Sequence, residues 1–287
     1  MFLPNQVTVI IPCYQDQSQL DAAIAAVMAC EPAEILIGDD GSSPPLRLPP
    51  GARDTRIIRL PTRSGSYAAR NACICEARSP VLAFTDADCL PDPHWIRHGA
   101  AALDEADLAG GRVRFNLSSP ASASQRIDAQ MNMRNDLSIP ERGVAKTANL
   151  FVRKSLFDEI GLFDLVQSGG DVAWTARATR AGYSMVYVAD AIVSHPARGF
   201  LEMLNKSWRV GRGMPRARAA EGQAPATLWR QALRALIPPS PAYLRRQMAA
   251  MQLPGVAAFL RLAAATWSFR LVTAAAIAWS LLRNRGG

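Results

Sequence analysis

An α/β domain on a mostly parallel sheet is predicted by three observations in the first 90 residues. β-Branched runs read as buried strands, helical spacing separates them, and each strand runs out into a polar or acidic segment. Residues 7–11 (VTVII) form the first strand, and Leu20, Ala23, Ile24 and Val27 then recur at helical spacing. Residues 34–38 complete a βαβ unit, residues 56–60 give a third strand, 66–77 a second helix and 81–85 a fourth strand. Ligands of such sheets bind beyond the carboxyl ends of the strands. Those ends carry Pro12-Cys13-Tyr14, Asp39-Asp40-Gly41-Ser42 and Asp86-Ala87-Asp88.

From Gly110 the pattern is mixed. Residues 110–115 predict a strand, 122–136 a helix, 146–152 a strand and 171–181 a helix with Gly182 as its stop signal. Short strands follow at 185–188 and 191–194, and a basic tail begins after His195-Pro196. A Pro-rich break falls at Pro238, Pro239 and Pro241, and no internal repeat is evident.

The chain has 287 residues, 49% hydrophobic and 20% charged, which excludes wholesale disorder and leaves enough apolar side chain for a real core. Five cysteines without a CxxC pair give neither a disulfide framework nor a zinc set. The first basic residue is Arg47 and the early apolar run is only five residues long, so no secretory signal is expected and a reducing, cytoplasmic setting fits. The net charge of +8 is uneven: residues 198–287 hold 14 basic against 2 acidic residues, while the rest is net acidic. Within 226–237, Leu228, Trp229, Ala232, Leu233, Leu236 and Ile237 share a helix face and Arg230 and Arg234 the other. That pattern suits an anionic membrane surface better than nucleic acid, or packing on the protein's own domain.

FTDADC is the sharpest site signal, because two carboxylates one residue apart at a strand end can hold a hard divalent cation and, through it, a diphosphate. Asp39-Asp40 is a second acid pair, and Arg70-Asn71 lies on a helix whose start follows Arg63-Ser64-Gly65-Ser66, a phosphate-binding arrangement. No GxGxxG follows the first strand and no GxxxxGK[ST] occurs, which disfavours a dinucleotide dehydrogenase and a P-loop kinase. His94 and His98 share a helix face without the Glu of an HExxH site.

VTVIIPCYQDQSQL, EILIGDDGSS, RSGSYAARNAC, VLAFTDADCLPDPHW, and ANLFVRKSLFDEIGLFD with GGDVAWTARATRAGY, in that order over about residues 5–198, resemble the family-two glycosyltransferases of the Rossmann-like GT-A fold. The resemblance implies a 1–198 catalytic domain and a 199–287 helical tail outside it. It implies that Pro12 shapes the wall of a nucleotide pocket and that Tyr14 stacks near the base, unless Tyr14 is a core tyrosine. Asp40, with Asp39 beside it, resembles the acid that binds the base, and Arg70 the diphosphate-facing arginine. Asp88 resembles the direct metal ligand, and Asp86 the residue that contacts the ribose or a metal-bound water. His195 matches a position where metal-dependent relatives complete the cation site, or it is a structural strand-end histidine; as a ligand it favours manganese over magnesium.

Inverting sugar transfer needs a carboxylate to take the acceptor's proton, and the resemblance places it at Asp171. Relatives carry an acid pair there, whereas this chain has Gly170-Asp171. Trp174, one turn on, either stacks on an acceptor sugar or belongs to the core. The processive QxxRW motif is absent, the region reading NKSWRVGRG, where Arg209 and Arg212 face diphosphate, lipid phosphate or solvent. The implied activity is non-processive transfer of one sugar, with inversion, from a nucleotide-sugar donor to a hydroxyl of a saccharide or lipid-linked saccharide. A divalent cation, Mn2+ or Mg2+, serves as cofactor, and family frequency points to UDP. Polysaccharide biosynthesis at the inner face of the cell membrane, with no nucleic-acid partner, is the implied setting. Two alternatives stand beside it: a nucleotidyltransferase, which lacks its Gly-rich loop here, and a catalytically inactive saccharide-binding or scaffold relative, suggested by Gly170.

For the tail, 255–282 is the best candidate span, but Arg261 and Arg270 interrupt it and its longest charge-free piece is the 12 residues 271–282. That is short of the roughly 20 needed. The two arginines lie on opposite faces at about 100° per residue, so either the helix breaks in two or they snorkel to headgroups. A monotopic contact is expected rather than an anchor.

Overall fold

The computed structural model describes residues 2–283, so the last four residues of the expected tail lie outside the described residues. Within these, 2–114 and 133–196 form one compact unit, and 115–132 with 197–283 form another. Residues 115–132 thus join the helical tail, which the sequence pattern did not attach to it.

In chain order the elements are β1 (Val7–Cys13), α1 (Gln17–Met28), β2 (Glu34–Asp39), β3 (Thr55–Arg59), α2 (Ser66–Glu76), β4 (Val81–Phe84), β5 (Leu90–Pro91), α3 (Trp95–Ala101) and β6 (Leu108–Asn116). There follow α4 (Ala123–Met131), α5 (Asn135–Arg142), β7 (Leu150–Arg153), α6 (Ser155–Ile160), α7 (Gly170–Arg180) and β8 (Met185–Pro196). The tail adds α8 (Phe200–Ala220), α9 (Pro225–Ala235), α10 (Pro241–Ala250) and α11 (Val256–Arg283).

The first unit is an eight-stranded sheet in the order β3-β2-β1-β4-β7-β6-β8-β5. β3, β2, β1 and β4 run parallel, as βαβ patterning requires. The pairs β4–β7, β6–β7 and β5–β8 are antiparallel, so the sheet is mixed. Alternation sends successive side chains to opposite faces. Val9, Ile11, Ile35 and Ala83 pack against Leu20, Ile24 and Val27 of α1. Ile10, Leu36, Leu82 and Phe84 pack on the other face with Ile74 of α2 and Trp174 of α7. Because both faces are covered, β1 and β2 are buried along their whole length and read as continuous apolar runs.

Three expected elements differ. The helix expected over 122–136 is two helices, α4 and α5, because Met133 adopts φ +52 between them and ends the first. The strand expected from Lys146 begins only at Leu150, since Thr147–Asn149 form a 3-10 turn. The two short strands expected over 185–194 are one strand, β8.

The second unit buries Ile127, Met203, Leu244, Leu262 and Phe269 in one cluster, and Leu228, Ala232, Ile277 and Leu281 in another. α11 runs unbroken for 28 residues, contrary to a break at its arginines. It is long and apolar enough to cross a membrane by length and composition, with 39% of its most apolar window buried. It also packs along α8, where a Cβ on Gly211 would lie 2.6 Å from both the Ala276 methyl and the Thr273 carbonyl oxygen. Only glycine lets the two helices approach so closely.

Candidate active site

The parallel strands deliver their carboxyl ends to one edge of the sheet, and the site is assembled there from the first unit alone. β5 pairs antiparallel with β8 and sets Leu90 opposite Ser194. Asp88, two residues before Leu90, therefore falls beside His195, one residue after Ser194. Asp88 Oδ2 lies 3.1 Å from His195 Nε2, and the imidazole is fully buried.

On the other side of that ring, Nδ1 lies 2.5 Å from the Pro196 carbonyl oxygen. A carbonyl only accepts, so Nδ1 donates and Nε2 faces a carboxylate, which also only accepts. Such a pair is stable with a positive charge between its members, either a second proton or a metal ion. The 3.1 Å spacing matches adjacent donors around a small divalent cation, which stand about 3 Å apart when each metal–ligand bond is about 2.1 Å. Asp88, Cys89 and His195 are the one group of three candidate ligands among the described residues. Burial, then the charges of Asp86 and Asp88, push the Cys89 thiol well above its usual range in the metal-free site, and a hard cation favours the carboxylate and imidazole donors over a thiol.

Arg70 is buried on α2 and pairs with Asp86 at 2.5 Å, while its Nε meets no hydrogen-bond acceptor among the described residues. A buried guanidinium with an unspent donor fits an additional anionic oxygen. Asp39 accepts from the Ser42 amide and from Arg59, each at 2.8 Å. Asp40 accepts from the amides of Ser64 and Gly65 and so fastens the loop that leads into α2. Pro12 is buried at the end of β1, and half-buried Tyr14 follows it with the Arg63 guanidinium 4.2 Å above its ring.

Asp171 stands in the first turn of α7, 9% exposed. Its Oδ1 accepts from the Tyr67 hydroxyl at 2.8 Å and from the Val172 amide at 2.9 Å. Its Oδ2 accepts from the Thr147 amide at 3.1 Å. Arg70 with Asp86, and Asp88 with His195, are thus paired two by two, and Asp171 is held separately by Tyr67 and Thr147.

Trp174 is a core residue: it is fully buried, stacks on Phe157 with centroids 4.4 Å apart, and donates to the Gly161 carbonyl. His98 contacts the Asp190 carbonyl, and its ring lies 6.1 Å from that of His94. In the tail, Arg212 lies over the Trp279 ring.

Sequence reasoning missed Tyr67 and Thr147. Tyr67 precedes Arg70 by three residues and so shares its helix face, a spacing that could have flagged it. Thr147 carried no signal, because its amide is aimed by a 3-10 turn inside an expected strand. Gly170 also gains a reason here: a Cβ there would meet the Tyr67 ring at 2.9–3.0 Å. The ring occupies the space a second acid would need.

The Glycosyl transferase family 2 model matches residues 8–161. Glycosyltransferase AglE of Haloferax volcanii is 34% identical over 97% of this chain and 97% of its own length. An uncharacterized glycosyltransferase of Mycobacterium tuberculosis is 28% identical over 72% of this chain and 98% of its own. Among solved structures, mannosyltransferase PcManGT from Pyrobaculum calidifontis, in complex with GDP-Man and Mn2+, superposes with a TM-score of 0.61 at 18% identity over 98% of this chain and 88% of that one. Glucosyl-3-phosphoglycerate synthase from Mycobacterium tuberculosis, with Mn2+, UDP-glucose and phosphoglyceric acid, gives 0.57 at 15% identity over 76% and 80%. The fold is GT-A, and the sequence match runs through β1 and α2 to the DxD segment and on to α6. On that likeness of sequence and fold together, the chain belongs to glycosyltransferase family 2.

Proposed function

We propose that this glycosyltransferase moves one sugar per encounter, with inversion, from a nucleotide-sugar donor to a hydroxyl of a saccharide or lipid-linked saccharide. The carrying observation is Asp171, a carboxylate fixed by four hydrogen bonds at the start of α7. Oδ2 accepts from the Thr147 amide at 3.1 Å and from the Thr147 hydroxyl at 3.5 Å, and the acceptor hydroxyl would displace the second, longer contact to reach that oxygen. As the acceptor oxygen bonds to the anomeric carbon, its proton passes to Oδ2. The bond from that carbon to the diphosphate breaks, and the nucleoside diphosphate leaves with the electron pair. The rival acids are engaged: Asp136 with Arg134 at 2.5 Å and Asp164 with Arg177 at 3.2 Å.

Asp88 and His195 would hold a divalent cation, which offsets charge on the departing diphosphate. Arg70 supplies a fixed positive group for the same oxygens, and Asp86 orients it through their ion pair. Asp39 and Asp40 hold the loops beside Tyr14 and Pro12, where the nucleoside is placed by this reading. The alternative of an inactive saccharide-binding relative drew on the acid missing at Gly170, and the Tyr67 ring gives that glycine a packing reason instead.

The solved relatives carry UDP-glucose in one case and GDP-mannose in another. UDP and GDP sugars are therefore both assayed, with manganese and with a chelator. Metal-dependent donor turnover giving a product of inverted anomeric configuration supports the reading. A retained configuration, or no turnover of any donor, overturns it. Asp171→Asn lowers turnover roughly 10²–10⁴-fold with donor affinity unchanged. By this reading the basic tail would meet the cytoplasmic surface of an anionic membrane, which flotation with anionic and neutral liposomes at low and high salt tests.

A further inference from the structure

The second unit contains a pocket of about 670 Å³, within the range of small-molecule sites. Its wall is largely apolar, with Ile127, Met131, Met203, Phe269 and Ile277 contributed by α4, α8 and α11. Arg230 and Arg234 of α9 and Arg270 of α11 also line it, and no acidic side chain does. None of the three arginines forms an ion pair with a carboxylate among the described residues, and Arg270 donates only to the Arg234 carbonyl. An apolar cavity edged by three unneutralised guanidiniums is complementary to a molecule with an apolar chain and a compact, multiply charged anionic head.

We infer that this pocket takes a phosphate-bearing lipid, its chain between α4, α8 and α11 and its phosphate against Arg230, Arg234 and Arg270. Phosphate suits the site better than carboxylate, because it offers three acceptor oxygens and up to two negative charges to several donors. Guanidinium groups read such oxygens two at a time. The neighbouring surface shows where the ligand comes from. Leu233, Leu236 and Ile237 at the end of α9, and Val256 and Leu260 at the start of α11, are 59–75% exposed. Trp267, whose indole donates to the Ala235 carbonyl, adds an aromatic edge to the same pair of helices. Shallow insertion of these side chains would bring α9 and α11 to the depth of lipid phosphates.

The inference rests on the membrane-surface reading of the tail, and its test is separable from that reading. Farnesyl phosphate is titrated calorimetrically into the full chain without donor or metal, beside farnesol, inorganic phosphate and palmitate. Binding of farnesyl phosphate at least tenfold tighter than each of the others supports the site. The exposed pair Arg230→Gln/Arg234→Gln lowers that affinity at least tenfold, and Thr227→Trp, which fills the pocket from an exposed lining position, lowers it as well. Circular dichroism confirms that both variants remain folded. Equal affinity for farnesol makes the site merely apolar, equal affinity for inorganic phosphate makes it a bare anion site, and equal affinity for palmitate removes the phosphate preference. Each result overturns the inference, as does wild-type affinity in both variants. Flotation on liposomes fails or succeeds independently, so loss of the pocket leaves the surface reading standing and the converse holds.

Discussion

The Tyr67 hydroxyl donates to Asp171 Oδ1 at 2.8 Å across 104 residues of sequence, and the same ring fills the space beside Gly170. One tyrosine therefore both excludes a second carboxylate and supplies a hydrogen bond to the one that remains. Burial, followed by the charge of Asp171, pushes the Tyr67 hydroxyl well above its usual range, so it stays a donor throughout the working pH range.

Tyr67→Phe keeps the ring against Gly170 and removes only the donor. Asp171 retains the Thr147 and Val172 amides but gains freedom about its side-chain torsions. Turnover is expected to fall about tenfold, equivalent to about 1.4 kcal/mol, with the donor KM unchanged. A purely structural tyrosine would instead lower the melting temperature and leave turnover per folded molecule intact. Steady-state kinetics beside a thermal melt distinguish the two.

Gly170→Ala tests the packing half of the relationship. Its Cβ would stand 2.9 Å from Tyr67 Cε2, and the ring is 6% exposed and cannot swing clear. Overpacking of this kind costs about 1–3 kcal/mol. Combining it with Tyr67→Leu recovers part of that loss, so a double-mutant cycle in denaturant yields a coupling term well above zero. Additive effects would remove the proposed exchange of acid for tyrosine.

Asp88→Ala removes one of the two donors that face each other at 3.1 Å, and His195→Ala the other. Manganese titrated calorimetrically with a nucleoside diphosphate should bind at least tenfold more weakly to either variant. Asp86→Ala frees Arg70 instead, and is expected to weaken nucleotide binding with a smaller effect on manganese alone. Unchanged manganese affinity in both Asp88→Ala and His195→Ala would sink the cation site.

Much of this site was legible in sequence because strand ends are. β1, β2 and β4 are apolar runs, and each is followed at once by the residues it presents, so Pro12, Asp39, Asp40, Asp86 and Asp88 could be placed by counting. His195 was legible in the same way, but its proximity to Asp88 depends on the β5–β8 register, and β5 is only two residues long. Tyr67 could not be matched to Asp171, because the bond is made across the sheet's carboxyl edge by two helices distant in sequence. The helical tail was legible in composition and less so in packing. A close α8–α11 contact at Gly211 leaves no periodic trace, and the assignment of 115–132 to that unit depends on the contacts of α4.

Those contacts include Asp128, which is fully buried on α4 and pairs with Lys206 at 2.9 Å and with Arg198 at 3.4 Å. Burial opposes its charge, but the charge and hydrogen bond of Lys206, and then Arg198, hold its carboxyl below the usual range. Lys206 is pulled down from 10.5 to about 8, first by burial and then by the Arg198 charge, against the attraction of Asp128. Between about pH 8 and 10.5 the unfolded chain thus binds more protons at Lys206 than the folded one. Stability contributed by this group accordingly rises with pH across that window. The Asp128 contribution has the opposite placement: it is present above its unfolded pKa and disappears as pH falls through the lowered folded value. Asp128→Asn leaves Lys206 buried without its carboxylate and should cost about 3–5 kcal/mol at pH 7. Lys206→Met removes the titrating group, so the difference in melting temperature between wild type and this variant should shift in favour of wild type as pH rises from 8 to 10.5. A difference that stays flat over that range means that Lys206 does not titrate there, and that the buried triad is held together without the proton linkage described.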